Sequence, residues 1–485
     1  MVQLDRRTFL RGAAATVGAA ALHGPFVGFV AAGNRRSSNP SFRGLVPIAD
    51  ERDDVVRLWL PSEFRYRSFH DTTAPVLLDD GTTLPGRHDG MAAFDGPGSN
   101  SILIRNHEVN GNAPGGAFGP DGTWTYDPNA LGGCTHVEVS GTGEVELAFT
   151  ALNGTQMNCA GGRMPWGAWI TCEETVNGPD VGPDFTGVSN VGLTQPHGFI
   201  FEVPMEGTAS GQPIRSAGRF PHEAVAFDPV NGHLYLTEDN FEFPSGFYRY
   251  LPPSNPMDTG SLEDGGQLQM LAVEGIPNAD LAARGPHRNY KVRWVDIEEP
   301  WTEFPFTPGE TAPTSNDTAL RFVSLQGLAQ GAARFSRLEG AAYDDGIVYF
   351  TSTQGGGAPE PTDSDEAQGW GNGWGQIWAY DVANEQLQLI FQSPNRETLD
   401  FPDNITTSPR GTLILCEDNV QDNFIRGLTR GGNLWDIALN RMEGRTGDEF
   451  AGSTFSADGE TLFVNIQASR GLSFAIWGPW QSIGV

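Results

Sequence analysis

The sequence predicts an all-β fold: a six-bladed β-propeller of four-stranded antiparallel blades, with loop insertions over the channel mouth. Three observations carry that prediction. A hairpin unit recurs six times along the 485 residues, and a second pattern of strand pairs alternates with it. The composition, with 62 glycines, 34 prolines and no long helical periodicity, suits many tight turns. Repetition of four-stranded units marks radial β architectures, in which each blade covers the apolar face of the next.

In chain order the hairpins run from His88 to Glu108, Asn158 to Glu174, His222 to Asp239, Arg337 to Gln354, Asp403 to Asp418 and Glu449 to Gln467. The third is the clearest, HEAVAFDPVNGHLYLTED. In each, a short strand leads through a Gly-containing turn to a strongly apolar strand. A hairpin folds back on itself, so its first and last residues lie side by side, and Glu223 comes near Glu238 and Asp239. Between the hairpins lie the outer strands: CTHVEV with EVELAFTAL, GFIFEVP, GFYRYLPP with LQMLAV, GQIWAYDV with QLQLIFQS, GNLWDIAL and FAIWGPW. The polar, Pro-rich stretch at about 255–317 reads as an insertion between blades. Residues 355–375 form a Gly/Pro/acidic loop, either a lid or plain surface.

The chain carries 30 basic and 60 acidic residues, a net charge of −30, and Lys291 is its only lysine. Such a surface excludes electrostatic binding of nucleic acid. At the N-terminus, Asp5-Arg6-Arg7-Thr8-Phe9-Leu10-Arg11 precedes a mildly apolar stretch, Ala13 to Ala32, interrupted by Gly24 and Pro25. This resembles a twin-arginine export signal with cleavage near Ala32. The expected organisation is a signal peptide at 1–32 and a single propeller domain at 33–485, exported folded by the twin-arginine translocase to the periplasm or the medium. No other segment is long and apolar enough to make a membrane anchor.

Export permits disulfides. Cys159 and Cys172 sit on partner strands of one hairpin and either pair or stay free, whereas Cys134 and Cys416 stand apart. No zinc spacing, GxSxG elbow or P-loop appears in a suitable context.

The chemistry lies in the acids. Glu108, Glu173, Glu174, Glu223, Glu238, Asp239, Glu339, Glu417, Asp418 and Glu449 fall at or near the ends of hairpin strands. Gathered around one channel they would repel one another, and hard cations, which take six to eight oxygen ligands, would relieve that repulsion. Arg337 lies two residues before Glu339, on the same strand face, where a guanidinium is placed to fork a phosphate oxygen. Arg105 and Arg163 are further basic candidates. His107 and His222 lie beside ligand positions and are the candidates for a general acid.

Asn106-His107-Glu108, NCAGGRMPWGAWITCEE, GRFPHEAVAFDP with YLTED, RLEGAAYDDGIVYFTST, GQIWAYD, SPRGTLILCED and EFAGSTFSADGETLFVNIQ together resemble the PhoX-type bacterial alkaline phosphatases, in matching order from about Asn106 to Trp480. The resemblance implies a monomeric propeller, with Fe3+ and Ca2+ in the channel mouth, that hydrolyses small phosphate esters outside the cytoplasm. Carried over by motif, Glu223 and Glu339 bind the metal cluster and Arg337 contacts the phosphate. Cys134 is the matching thiolate ligand, with Cys172 in reserve. Glu108, Glu174, Glu238, Asp239 and Glu449 become metal ligands, and Asn106 a catalytic group. Arg163 and Arg105 join Arg337 as substrate contacts. Two other readings compete: a calcium-dependent lactonase or esterase, which needs only oxygen ligands, and a non-enzymatic propeller whose calcium is structural.

Overall fold

The computed structural model describes residues 44–120, 122, 124–283, 289–357, 373–430 and 432–485. The twin-arginine segment lies outside them. All six expected hairpins form as antiparallel pairs, the inner strands being His88–Asp95, Asn158–Met164, His222–Asp228, Leu338–Asp344, Pro402–Thr407 and Glu449–Phe455. Their local cause is the turn chemistry between β-branched and aromatic runs. In Asp345-Gly346, for example, both residues take left-handed φ values of 49° and 81°, the twist a two-residue hairpin requires. The strand that follows, Ile347–Ser352, is buried almost throughout, because neighbouring blades cover both of its faces.

The inner strands neighbour one another in chain order, and the sixth returns to the first, so blades I to VI close a ring around an axis. Blade I is completed by Gly132–Val139 and Val145–Thr155, and blade II by Ile200–Pro204 alone. Blades III and IV are fused: Asn289–Ile297 pairs with the outer strands of both, Gln267–Val273 and Gln386–Gln392, giving one nine-stranded sheet. Blade V gains two strands from the N-terminal side, Val56–Leu60 and Val46–Ala49. In blade VI the outer strand is Arg65–Phe69, paired with Leu472–Trp477, so the start of the chain closes the ring at its end.

Residues 255–317, expected as an insertion, supply the outer strand of blade III and the strand that bridges to blade IV. Residues 302–314 pack against the loops of blade II, where Phe304 N donates to Asp180 and Gly182 N to the Thr314 carbonyl. The core lies between blades. Between III and IV, Phe247 stacks on Phe350 at 4.3 Å, and Tyr235 lies 5.4 Å from Tyr380. No helix among the described residues is long and apolar enough to cross a membrane.

Candidate metal centre and its arginine

Every inner strand slips register once, at the same place. The slips fall between His88 and Met91, Asn158 and Gly161, His222 and Val225, Leu338 and Ala341, Pro402 and Ile405, and Ala451 and Thr454. Each is a β-bulge, which re-aims a side chain out of the pleat. Five of the six bulges carry Asp89, Cys159, Glu223, Glu339 and Asp403; the sixth carries Gly452. A second tier comes from the residue just after each hairpin: Glu108, Glu174, Asp239, Thr353 and Asp418. Their backbone N–H groups donate at 2.9–3.1 Å to the carbonyls of Arg87, Met157, Pro221, Arg337 and Phe401, each immediately before an inner strand.

The two tiers converge. Ligand atoms of Cys159, Glu174 and Glu223 lie within 4.8 Å of one another, as do those of Glu223, Glu339 and Asp403. Burial, reinforced by mutual repulsion, holds the carboxyls of Asp89, Glu174, Glu223, Glu339 and Glu449 well above the usual carboxylate range, and pushes Asp403 up to about 7. Burial likewise pushes the Cys159 thiol up, with Glu223 and Glu174 adding to it. Buried acids that destabilise one another's charge, joined by a thiol, fit a donor set for cations. The acids form one continuous cluster. Cys159 and Glu174 meet Glu223 at one end, and Glu223 and Glu339 meet Asp403. Beyond Asp403 the donors are oxygen only, with Glu449 hydrogen-bonded to Asp418 and repelled by Asp403 and Asp89.

Arg337 crosses this site. Its Nη2 donates to Glu339 Oε1 at 2.5 Å and to Asp239 Oδ2 at 2.8 Å, and its Nε reaches the same Asp239 carboxylate at 3.1 Å. The guanidinium lies 4.0 Å from the centroid of the Phe241 ring. Its backbone is left-handed, φ 43°, a strained conformation for a non-glycine that packing must hold in place.

Several expected site residues lie elsewhere. Cys134 is inside blade I, its Sγ 3.2 Å from Asn106 Oδ1, and burial pushes its thiol up to about 12. Cys172 packs in the core between blades II and III. All four cysteines are free, so Cys159 and Cys172 form no disulfide. The thiol beside the acids is that of Cys159, which occupies the same bulge position as Glu223 and Glu339. Glu238 points to the opposite face from Asp239, as successive strand residues do, and accepts from Gly246 N and Tyr248 Oη, both at 2.8 Å.

Asn106 is fully buried. Its Nδ2 donates to the carbonyls of Cys159 and Ala160, both at 2.8 Å, and its Oδ1 accepts from Trp169 Nε1 and Thr171 Oγ1. It clamps the bulge that presents Cys159. Arg105 is sealed between blades I and VI against Ser473, His70 and Thr135, where burial lowers its pKa to about 9. Arg163 lies four residues beyond Cys159, roughly 13 Å along the strand, at the channel's other end. It lines a cavity of about 760 Å³ there and rests over Phe94. His107 and His222 are buried, and burial pushes both down to about 3, so neither is placed to donate a proton. The sequence reading missed Asp89, Cys159 and Asp403; aligning the second residue of each inner strand would have found all three.

The family model described as alkaline phosphatase PhoX matches residues 44–469. No curated protein matches. Among solved structures, the chain is similar to Pseudomonas fluorescens PhoX in complex with vanadate, a transition state analogue. That likeness has a TM-score of 0.61 and 17% identity, covering 90% of this chain and 97% of the other. Weaker likenesses reach virginiamycin B lyase from Staphylococcus aureus (TM-score 0.38, 13% identity, 86% and 99% covered) and a Xanthomonas campestris gluconolactonase (0.37, 11%, 90% and 98%). These two are too distant to bear on function.

Proposed function

This chain belongs to the PhoX alkaline phosphatase family and is a metal-dependent phosphatase, and we propose that it hydrolyses small phosphomonoesters, with diesters as secondary substrates, outside the cytoplasm. The observation that carries the reading is the convergence of the Cys159 thiol with Glu174 and Glu223 beside the Arg337 fork. We assign iron to the Cys159, Glu174 and Glu223 group, because a thiolate favours a transition metal, and calcium to the oxygen-only group around Asp89, Asp403 and Glu449. Bound cations would neutralise phosphate charge and polarise its P–O bonds. Arg337 binds non-bridging oxygens and stabilises the charge that gathers on them as the ester bond breaks. Asp239 and Phe241 hold its fork in place. A lactonase reading needs oxygen ligands alone and leaves the placement of Cys159 unexplained. The twin-arginine motif supports export of a folded, metal-loaded monomer.

The test is elemental analysis, a visible spectrum and a p-nitrophenyl phosphate assay on the full chain, expressed with its own signal in a twin-arginine-competent host. The expected result is iron with calcium, a thiolate-to-iron absorption band, and alkaline hydrolysis that falls about 100-fold in Arg337→Ala while metal content holds. A colourless, inactive protein containing calcium alone would sink the reading.

A further inference from the structure

We propose that Arg87 is a second phosphate-gripping guanidinium, set across the channel from Arg337. The inference rests on the phosphatase reading and adds a specificity residue to it. Arg87 and Arg337 occupy the same structural position. Each immediately precedes an inner strand, each carbonyl accepts from the second-tier residue of its own blade (Glu108 N at 3.0 Å, Thr353 N at 2.9 Å), and each has a left-handed φ, 48° and 43°. Each lies two residues before a bulge carboxylate, Asp89 or Glu339. The equivalent residues of blades II, III and V are Met157, Pro221 and Phe401, so the position itself does not demand a cation.

The ring order places the inner strands of blades I and IV three steps apart in either direction, so these two arginines face each other across the axis. Arg87 is tethered much as Arg337 is, with Nη1 2.8 Å from Glu108 Oε2, yet its side chain is 47% exposed at the mouth against 8% for Arg337. Arg337 is already in place, while the more exposed Arg87 has room to swing onto a bound anion. A phosphomonoester presents three non-bridging oxygens and two charges, whereas a diester presents two oxygens and one charge. Guanidinium groups approaching from opposite sides match the first, and the inorganic phosphate product, better than the second.

The experiment uses metal-loaded full-length protein, wild type, Arg87→Ala and Arg87→Lys. It measures metal content, kcat and KM for p-nitrophenyl phosphate and bis-p-nitrophenyl phosphate, and calorimetric binding of inorganic phosphate. Arg87→Ala is expected to raise the monoester KM and the phosphate Kd about tenfold, leaving kcat, metal content and the diester KM near wild type, with Arg87→Lys recovering part of the loss. Unchanged phosphate binding, equal losses on both esters, or loss of metal together with activity would each overturn it. Should wild type hydrolyse neither ester, the phosphatase reading falls instead, and the phosphate titration still decides whether Arg87 grips the anion.

Discussion

At the residue scale the decisive position is the second residue of each inner strand. Read down the first five repeats it gives Asp89, Cys159, Glu223, Glu339 and Asp403 (the sixth strand has Phe450 there), and the structure brings the last four of these into the two ligand clusters. Cys134, chosen by its place after Asn106-His107-Glu108, lies on a strand outside the column, where apolar neighbours surround it. The two cysteines therefore predict different outcomes. Cys159→Ser should remove the absorption band and most of the iron, because a serine hydroxyl is a poor substitute for a thiolate. Cys134→Ala should keep both and cost about 1–2 kcal/mol in a denaturant titration, the price of a small buried void and one weak hydrogen bond. Comparable iron loss in the two variants would refute the assignment.

At the scale of elements, the bulge and its clamp do what a regular strand would not. A straight inner strand would alternate its side chains between the two faces of the pleat; the slip re-aims one residue per blade, and Asn106 holds the blade II slip by both carbonyls. These contacts give Asn106 a positioning role at the Cys159 bulge, which a variant can test against a direct role with substrate. Asn106→Ala strands two buried carbonyls, the Trp169 N–H and the Thr171 hydroxyl, at roughly 1–3 kcal/mol for each group left unsatisfied. Stability and iron content should both fall, while activity per bound iron stays near wild type. A drop in activity at full iron occupancy would return Asn106 to the chemistry. The family resemblance of Asn106-His107-Glu108 marked Asn106 as a site residue, but its clamp on the Cys159 bulge was not legible, because the two carbonyls it holds lie more than 50 residues away.

At the scale of the whole molecule, the loops that roof blade II depend on one buried histidine. His197 Nδ1 lies 2.6 Å from Glu173 Oε1 and its Nε2 3.6 Å from Asp127 Oδ2, while Asp127 also accepts from Thr194 N and Gln195 N. Burial opposes the charge on His197, but Glu173 and Asp127 outweigh it and raise its pKa to about 9. A histidine raised above its unfolded value of 6.5 contributes stability that is complete below pH 6.5 and lost as pH rises through 9, on the order of 3 kcal/mol. Thermal unfolding should therefore show Tm declining between pH 6.5 and 9.5 at constant salt, with the decline flattened in His197→Asn. An equal decline in that variant would assign the alkaline loss to another group. Because the expected chemistry is alkaline, the enzyme would work where this support is weakening.

The sequence alone determined the local units: six hairpins, their turn residues, the apolar second strands and the acids at their ends. Turn geometry and strand pairing across a few residues are encoded where they occur. It also placed Glu174, Glu223, Asp239, Glu339 and Arg337 within one constellation, because a hairpin brings its own two ends together. Only the tertiary structure decided the rest. The fusion of blades III and IV through Asn289–Ile297, the closure of blade VI by Arg65–Phe69, and the placement of Cys159 rather than Cys134 beside the acids all depend on pairings between distant segments or on a one-residue slip. Pairings between distant segments leave no periodic trace in the chain, because they are set by how packed blades meet around the axis rather than by any strand's own preference.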